Sequence, residues 1–390
     1  MARKVCVVVT ARPSYARIKT VLSALQEHPG IQLQLVVAAS AIIERYGNVA
    51  AVMEEDGFSV TARVHSLLEG DTLVGAAKST GIGMSELTSV FEHLVPDLVV
   101  TVADRYETLA TAAAAAYSNL PLAHIQGGEI TGSIDEKVRH AVTKLADLHF
   151  VSTERAREFV IRMGEPADRV FRTGCPSIDI ARKVLDNPRP GFHPLEHYGG
   201  VGPELDLSQG YLVVMQHPVT TEIAETRGHI GETLQAVKDL ALPTLWFWPN
   251  VDAGSDTVSK ILRTEREEGQ LQDVHFFRNM SPEDFLYTLL GCKCLIGNSS
   301  VGIRECAYLG VPSVNIGNRQ RFRERGRNVL DVTYDRRAII DATERQIANG
   351  QHARDDVYGD GAAGVRIADL MESLPLCIDK HLSYVDRSES

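Results

Sequence analysis

Short runs of consecutive apolar residues recur along this chain, with helical patterns between them. A strand buried on both faces needs such a run, whereas a strand with one face in water alternates apolar and polar residues. Because helices cover both faces of a parallel sheet, the runs predict an α/β fold with parallel sheets. In the first half, the predicted strands are Val5 to Val9, Leu33 to Ala38, Leu98 to Val102, Leu122 to Ile125 and His149 to Val151.

The second half repeats this alternation after a stretch of different composition. Residues 186–209 are rich in Pro and Gly and lack periodicity, which is typical of a connection between domains. We therefore predict two doubly wound, Rossmann-like domains at 1–185 and 210–365, with 186–209 as the linker and 366–390 as a C-terminal helix and tail. The strands predicted in the second domain are Tyr211 to Met215, Thr244 to Phe247, Val274 to Phe277, Cys294 to Ile296 and Ser313 to Ile316.

Polar residues gather where the predicted strands end. Folds of this class bind ligands at the carboxyl ends of parallel strands, so two such domains are expected to form an inter-domain cleft. The segments that follow the strands are TARPS, ADR and QGGE in the first domain, and QHP, PNVD, GNSS and GNR in the second. This concentration predicts that the ligand-binding and catalytic residues line the cleft.

The stretch from Lys293 to Gln320 contains the most informative strand end. It has the pattern of a strand, a polar turn with Ser299 and Ser300, a helix from about Val301 to Leu309, and a second strand. Serines ahead of a helix satisfy its first N–H groups, and the same groups attract phosphate. Glu305 lies within the first two turns of that helix, where a carboxylate suits a ribose hydroxyl. The alternative is an ordinary capping turn.

Three arginines that follow predicted strands indicate an anionic ligand. Arg12, Arg105 and Arg319 supply guanidinium groups that suit phosphate contacts. The chain has no G-x-x-x-x-G-K-[ST] motif, which argues against an ordinary NTPase, and no G-x-G-x-x-G dinucleotide motif. A nucleotide-sugar is the ligand that remains.

Three further residues are candidates for acid–base chemistry. Asp104 begins the segment DRYE, in which it is either functional or the N-cap of a helix with Glu107 at the third position. Asp135 precedes another helical pattern and has the same two interpretations. His217 directly follows a strand, between Gln216 and Pro218, which favours a functional role.

Composition excludes several classes of function. The formal net charge of −11 argues against a nucleic-acid partner. The six cysteines are scattered and most of them lie in apolar segments, so we expect buried thiols in a reducing compartment and no metal site. We find neither a signal peptide nor a run of membrane-spanning length, and therefore expect a cytoplasmic protein without a membrane partner.

Several longer motifs carry a resemblance to a known family. ADRYETLA, HIQGGEITGSIDEKVRHAVTKLA, GCPSID, QHPVTTE, FWPNVDAGS, IGNSSVGIRE and YGDG occur in this order. Together they resemble the UDP-N-acetylglucosamine 2-epimerase family, most closely its hydrolysing branch, from about Val5 to Leu370. The resemblance implies a glycosyltransferase-B-like fold with UDP in the cleft, no metal or nicotinamide cofactor, and a homodimer or homotetramer.

The resemblance also implies a reaction. The C2 proton of the sugar is removed while UDP leaves C1, which gives 2-acetamidoglucal, and addition to the other face inverts C2. In the hydrolysing branch water adds, giving N-acetylmannosamine and UDP. In the alternative, non-hydrolysing branch UDP returns, giving UDP-N-acetylmannosamine.

Site residues follow from the motifs that match. His217 is expected to contact the phosphates or to transfer a proton, while Asp104 and Asp135 transfer protons or stabilise the cationic centre. The residues expected to bind UDP are Arg12, Arg105, Asn250, Ser299, Ser300, Glu305 and Arg319.

Gln126 departs from the family pattern, because many relatives have Glu at the variable position of HIxGGE. An amide cannot act as a carboxylate base, so either Glu129 takes that role or the final nucleophile differs between water and UDP. The expected activity is thus a UDP-N-acetylglucosamine 2-epimerase, with the hydrolysing reaction favoured. A glycosyltransferase of the same architecture and a non-catalytic nucleotide-sugar sensor are the alternatives.

Overall fold

The computed structural model describes residues 2–68, 72–131, 134–249 and 254–384. The chain forms two compact units. The first unit comprises Met1–Glu129, Asp135–Asp179 and Tyr358–Ser390, and the second comprises Ile130–Ile134 and Ile180–Val357. The chain therefore enters the second unit after Asp179 and returns to the first at Tyr358.

Each unit is built on a parallel sheet. The first sheet has the order β3-β2-β1-β4-β5-β6-β7 and the second the order β10-β9-β8-β11-β12-β13. The strands are Arg3–Val9 (β1), Ile31–Ala38 (β2), Val60–Val64 (β3), Leu98–Val102 (β4), Leu122–Ile125 (β5), Leu148–Val151 (β6), Val170–Arg172 (β7), Tyr211–Met215 (β8), Thr244–Phe247 (β9), Val274–Phe277 (β10), Cys292–Gly297 (β11), Ser313–Ile316 (β12) and Val329–Val332 (β13).

Helices alternate with these strands along the chain. They are Arg12–Ala16 (α1), Lys19–Glu27 (α2), Val49–Glu55 (α3), Leu73–Leu94 (α4), Tyr106–Tyr117 (α5), Ile134–Leu145 (α6), Glu154–Arg162 (α7), Pro176–Asp186 (α8), Pro194–Tyr198 (α9), Thr226–Leu240 (α10), Ser255–Glu267 (α11), Pro282–Leu290 (α12), Glu305–Leu309 (α13), Arg336–Asn349 (α14) and Ala363–Ser373 (α15). Within the described ranges, none of them is both long and apolar enough to cross a membrane.

Residues of β1 show why the apolar runs are continuous. Val5 and Val7 pack into one apolar cluster, which includes Ile367 of α15, whereas Cys6 and Val8 pack into a second cluster. Successive side chains of a strand point to opposite faces, so both faces of this sheet are buried. The predicted α/β fold with two doubly wound parallel sheets is confirmed.

The ten predicted strands all lie within observed strands, but three observed strands were not predicted. These are β3, β7 and β13, and each lies at an edge of its sheet. Their residues are partly exposed, in a pattern that alternates along β3. These three edge strands face more solvent than the central strands and lack the continuous apolar run on which the prediction depended. The fourth edge strand, β10, is buried along its length and was predicted.

Candidate functional site

In the first unit, Asp104 lies just after β4 and is largely buried. It forms an ion pair with Arg139 of α6 and a longer one with Arg17, whose Nη1 lies 3.8 Å from the Asp104 carboxylate. Its alternative role as an N-cap is wrong, since Arg105 occupies that position of α5 and no side chain caps the helix there. Asp104 is instead held by cations from other elements.

Arg139 connects Asp104 to the end of the next strand. Its side chain is 1% exposed, and its Nη1 donates to the main-chain carbonyl of Glu129 at 2.7 Å. This arginine therefore brings two of the predicted catalytic residues, Asp104 and Glu129, into one buried network. Arg139 was not predicted from the sequence, although its position three residues before the buried Val142 places it on the inner face of α6.

A buried histidine fixes the backbone beside Asp104. The Nε2 of His124 lies 2.8 Å from the carbonyl of Ala103, and its Nδ1 lies 3.1 Å from the Thr143 hydroxyl. Ala103 has a φ of +68°, a left-handed conformation that non-glycine residues adopt at a cost. Burial lowers the pKa of His124 to about 3, so the ring is neutral at pH 7 and donates from Nε2 to the carbonyl.

The other predicted residues of the first unit lie at strand ends or helix starts. Gln126 follows β5 directly and is 2% exposed, and its Nε2 donates to the sulfur of Cys175 at 2.9 Å. Arg105 lies beside Glu107, with Nε 3.2 Å from the carboxylate. Asp135 is the second residue of α6 and therefore not its N-cap, so that alternative is also wrong.

Arg12 is the first residue of α1 and lies three residues after the end of β1. Burial lowers the pKa of its guanidinium to about 10, which leaves the side chain positively charged at neutral pH. A partly desolvated cation at a strand end suits the phosphate-binding role predicted for it.

In the second unit, Asn298 is the centre of the arrangement. Its side-chain oxygen accepts from the backbone N–H of His217, and its side-chain amide donates to the His217 carbonyl, both at 2.8 Å. Its own main-chain carbonyl accepts from Arg319 at 3.2 Å and from Gln320 at 3.0 Å. One fully buried residue thus joins the ends of β8, β11 and β12, through its side chain and its main-chain carbonyl, and no role was predicted for it from the sequence.

The turn after β11 differs from the prediction. The helix expected from Val301 to Leu309 is wrong, because a 3₁₀ turn at Ser300–Gly302 and the five-residue α13 take its place. Ser299 accepts from the Val301 N–H at 3.4 Å, and Ser300 accepts from the guanidinium of Arg304 at 2.8 Å. Arg304 is buried and was not predicted; it adds a cation directly behind the serine turn.

Glu305 is the first residue of α13 and is 8% exposed. Among the described residues, its Oε2 has no hydrogen-bond partner. A buried carboxylate oxygen without a donor is costly, and a hydroxyl from a ligand is a donor that could satisfy it.

A second group of side chains supports the turn that carries Arg319. The Glu222 carboxylate accepts from the amide of Asn318, and its other oxygen lies 3.8 Å from Nδ1 of His229. The His229 ring stacks on Tyr334 with centroids 3.6 Å apart. Asn250, the remaining residue predicted to bind UDP, lies outside the described residues.

Comparisons with known proteins identify the family to which this chain is similar. The model of the family described as UDP-N-acetylglucosamine 2-epimerase matches residues 23–372. The UDP-N,N'-diacetylbacillosamine 2-epimerase (hydrolyzing) of Legionella pneumophila is 32% identical, with 96% of this chain and 97% of the relative covered. The UDP-N-acetylglucosamine 2-epimerase of Neisseria meningitidis serogroup B is 28% identical, with 93% and 92% covered.

Two solved structures show the same fold. The UDP-N-acetylglucosamine 2-epimerase from Neisseria meningitidis, bound to UDP-GlcNAc, aligns with a TM-score of 0.75 at 18% identity, over 94% of this chain and 99% of the other. The Methanocaldococcus jannaschii enzyme in complex with UDP-GlcNAc and UDP aligns with a TM-score of 0.76 at 16% identity, over the same shares of the two chains.

Proposed function

Because this chain belongs to the UDP-N-acetylglucosamine 2-epimerase family, we propose that it inverts C2 of a UDP-linked 2-acetamido sugar, with UDP-N-acetylglucosamine as the reference substrate. We favour the hydrolysing reaction, since the Legionella relative is described as a hydrolysing enzyme. The non-hydrolysing reaction is the alternative. The observation that carries the proposal is the arrangement around Asn298, which joins His217 and Arg319.

The proposed reaction has two stages. In the first, a base takes the C2 proton, the C–H electrons form the C1=C2 double bond, and the C1–O electrons leave with UDP. In the second, water adds to C1 and a proton adds to C2 on the opposite face, which releases N-acetylmannosamine. Because the C2 proton is only weakly acidic, stabilisation of the departing diphosphate is the main demand on the protein.

We assign the UDP group to the second unit. Arg319 would contact the phosphates, and Ser299 and Ser300 would donate hydrogen bonds to them, with Arg304 adding positive charge. Glu305 would accept from a ribose hydroxyl, which would satisfy its buried Oε2. Arg12 and Arg105 are the further cations that we assign to UDP, and we retain Asn250 as a prediction.

We assign proton transfer to carboxylates of the first unit. The ion pair with Arg139 favours the ionised form of Asp104, which then acts as a base or stabilises positive charge on the sugar. Glu129 and Asp135 are the remaining candidates. Gln126 cannot accept a proton at neutral pH, so its role in this proposal is to hold the sugar by hydrogen bonds.

The first test follows the reaction of the purified protein with UDP-N-acetylglucosamine in deuterated water by proton NMR, without metal or acceptor. N-Acetylmannosamine and UDP, with deuterium at C2, would support the hydrolysing enzyme. UDP-N-acetylmannosamine in equilibrium with substrate would support the alternative. A parallel reaction with UDP-N,N'-diacetylbacillosamine tests the substrate named for the Legionella relative. No exchange with either would favour the glycosyltransferase or the sensor.

A His217→Ala variant separates the two roles expected for His217. Asn298 contacts only the main-chain atoms of His217 in the hydrogen bonds described above, so the variant keeps them and should fold. If the imidazole transfers a proton, turnover falls by about 100-fold or more while UDP affinity is unchanged. If it contacts the phosphates, UDP affinity falls as well. Full activity would remove His217 from the site.

We also propose that the enzyme is a cytoplasmic homodimer or homotetramer. Light scattering coupled to size-exclusion chromatography measures the oligomeric state, and cell fractionation measures the location. A monomer at micromolar concentration, or recovery in a membrane fraction, would contradict the respective statement.

A further inference from the structure

The backbone around Gln126 is fixed by its conformation and its packing. Gln126 has a φ of +65°, and its N–H donates to the carbonyl of Phe150 at 2.8 Å. Two residues on, Gly128 has a φ of +75°, and a Cβ atom there would lie 2.2 Å from the Ala156 carbonyl oxygen. The backbone of this segment is therefore packed closely against Phe150 and Ala156. The last torsion of a glutamine, which rotates the amide, is broad in energy and needs a contact to fix it.

Cys175 makes one such contact. Its sulfur lies 2.9 Å from Nε2 of Gln126 and 3.0 Å from the hydroxyl of Ser177. The cysteine is fully buried and Ser177 is 4% exposed, so both contacts are shielded from water. The sulfur accepts from the amide, and the Gln126 amide must therefore turn its oxygen away from Cys175.

Cys175 belongs to the GCPSID motif and is held in place by the YGDG motif, and neither motif has a role in the proposed reaction. Its N–H donates to the carbonyl of Tyr358 at 2.7 Å, which joins the GCPSID motif to the YGDG motif. The chains approach so closely that a Cβ atom on Gly359 would lie 3.0 Å from Cα of Gly174. Because Gly359 also has a φ of +124°, another residue would be strained there.

From this geometry we propose that Cys175 is a positioning residue for Gln126. The sulfur holds the amide group so that its carbonyl oxygen accepts a hydrogen bond from the sugar, from a hydroxyl or from the acetamido N–H. The inference rests on the proposed function, because the orientation of the amide matters only if a sugar binds beside it.

The test compares Cys175→Ala, which has no acceptor, with Cys175→Ser, whose hydroxyl can accept from the amide. We expect Cys175→Ala to lower kcat by about 3- to 10-fold with UDP affinity unchanged, and Cys175→Ser to restore most of that loss. Cys6→Ala is the matched control, because Cys6 is equally buried in the same unit but lies in the middle of β1. It should leave kcat unchanged.

A double-mutant cycle with Gln126→Ala separates positioning from a general effect on structure. Once the amide is removed, Cys175→Ala should cause no further loss of kcat. An equal loss in both backgrounds, or wild-type kcat in Cys175→Ala, would overturn the inference and leave the proposed function intact. A wild-type protein that turns over no UDP-sugar would overturn both. If Cys175→Ala does not fold, Cys175→Val replaces it in the same cycle.

Discussion

The two units hold their candidate site residues by different kinds of contact. In the first unit, the Asp104 carboxylate is paired with the buried cation of Arg139. In the second, Asn298 holds the backbone of His217 by two hydrogen bonds, and Arg319 and Gln320 donate to its neutral carbonyl. The first arrangement is a charge pair, and the second is a group of hydrogen bonds around one amide side chain.

This difference predicts different consequences of mutation. Removing one partner of a buried charge pair leaves the other charge without compensation, so the folded state is destabilised. Removing a cation that donates to a neutral carbonyl costs the fold much less, because the carbonyl loses one of its two donors. Replacing a paired residue of the first unit should therefore lower stability, whereas replacing Arg319 of the second unit should lower nucleotide affinity with little effect on stability.

The largest effect is expected from Arg139→Ala. The variant removes the shorter ion pair of the largely buried Asp104 and keeps only the longer one with Arg17, so the free energy of unfolding should fall by about 3 kcal/mol, and turnover should fall because Arg139 no longer orients the carboxylate. Urea denaturation followed by circular dichroism measures the first effect. Arg162→Ala is the control, since Arg162 forms an exposed pair with Glu158 and should change stability by at most about 0.5 kcal/mol. Equal effects of the two variants would contradict the charge-pair description.

Arg319→Ala should show the opposite behaviour. We expect UDP affinity to fall by about 1.5–3 kcal/mol, which is the range for a hydrogen bond to a charged group, with little change in the free energy of unfolding. Isothermal titration calorimetry with UDP measures this affinity. The control is Arg321→Ala, two residues further on, where the side chain is exposed and lies over the Phe322 ring. If both variants bind UDP like the wild type, Arg319 does not contact the nucleotide.

The neutral His124 predicts a pH dependence that belongs to the first unit. In the unfolded chain this histidine takes up a proton near pH 6.5, whereas in the folded state burial lowers its pKa to about 3. Between these values the unfolded state binds more protons, so stability falls as the pH is lowered, by up to about 1.4 kcal/mol per pH unit from this group. The contribution of His124 to the free energy of unfolding is therefore fully present above pH 6.5.

His124→Gln tests this expectation when unfolding is measured from pH 7 to pH 4. His149, its partner in register on β6, is also buried, and burial lowers its pKa as well. Each single replacement should flatten the dependence of stability on pH, and the double replacement should flatten it further. An unchanged slope in all three variants would show that these histidines are not the buried neutral groups that the structure describes.

Central strands and the polar segments that follow them could be predicted from the sequence, because each depends on residues that are close together in the chain. The runs of β1, β4 and β8 and the polar residues after them are examples. Contacts between distant residues could not be predicted. Asp104 looked like a helix cap because Arg139, 35 residues away, is brought to it only by the packing of α6.

The same reason explains what was missed in the second unit. Asn298 is 81 residues from His217, and no local pattern reveals that the two exchange hydrogen bonds. The resemblance to the family supplied the residues predicted to bind the substrate, but not the residues that hold them in place. Arg304 is the intermediate case, because it lies four residues after its partner Ser300 and could have been found from helical spacing.

The smallest difference between the two units is expected for two helix caps, one in each unit. The Asp179 carboxylate accepts from the N–H groups of Ala363 and Gly364 at 2.8 and 2.7 Å, so a residue 184 positions away caps α15. Asp335 caps α14 locally, by accepting from the Ala338 N–H at 2.8 Å. We expect Asp179→Ala to destabilise by about 1–2 kcal/mol and Asp335→Ala by about 0.5–1 kcal/mol, because only the second leaves its N–H groups open to water. Thermal unfolding of the two variants side by side measures the difference. A larger loss for Asp335→Ala would mean that distant contacts in the first unit contribute no more to stability than local contacts in the second.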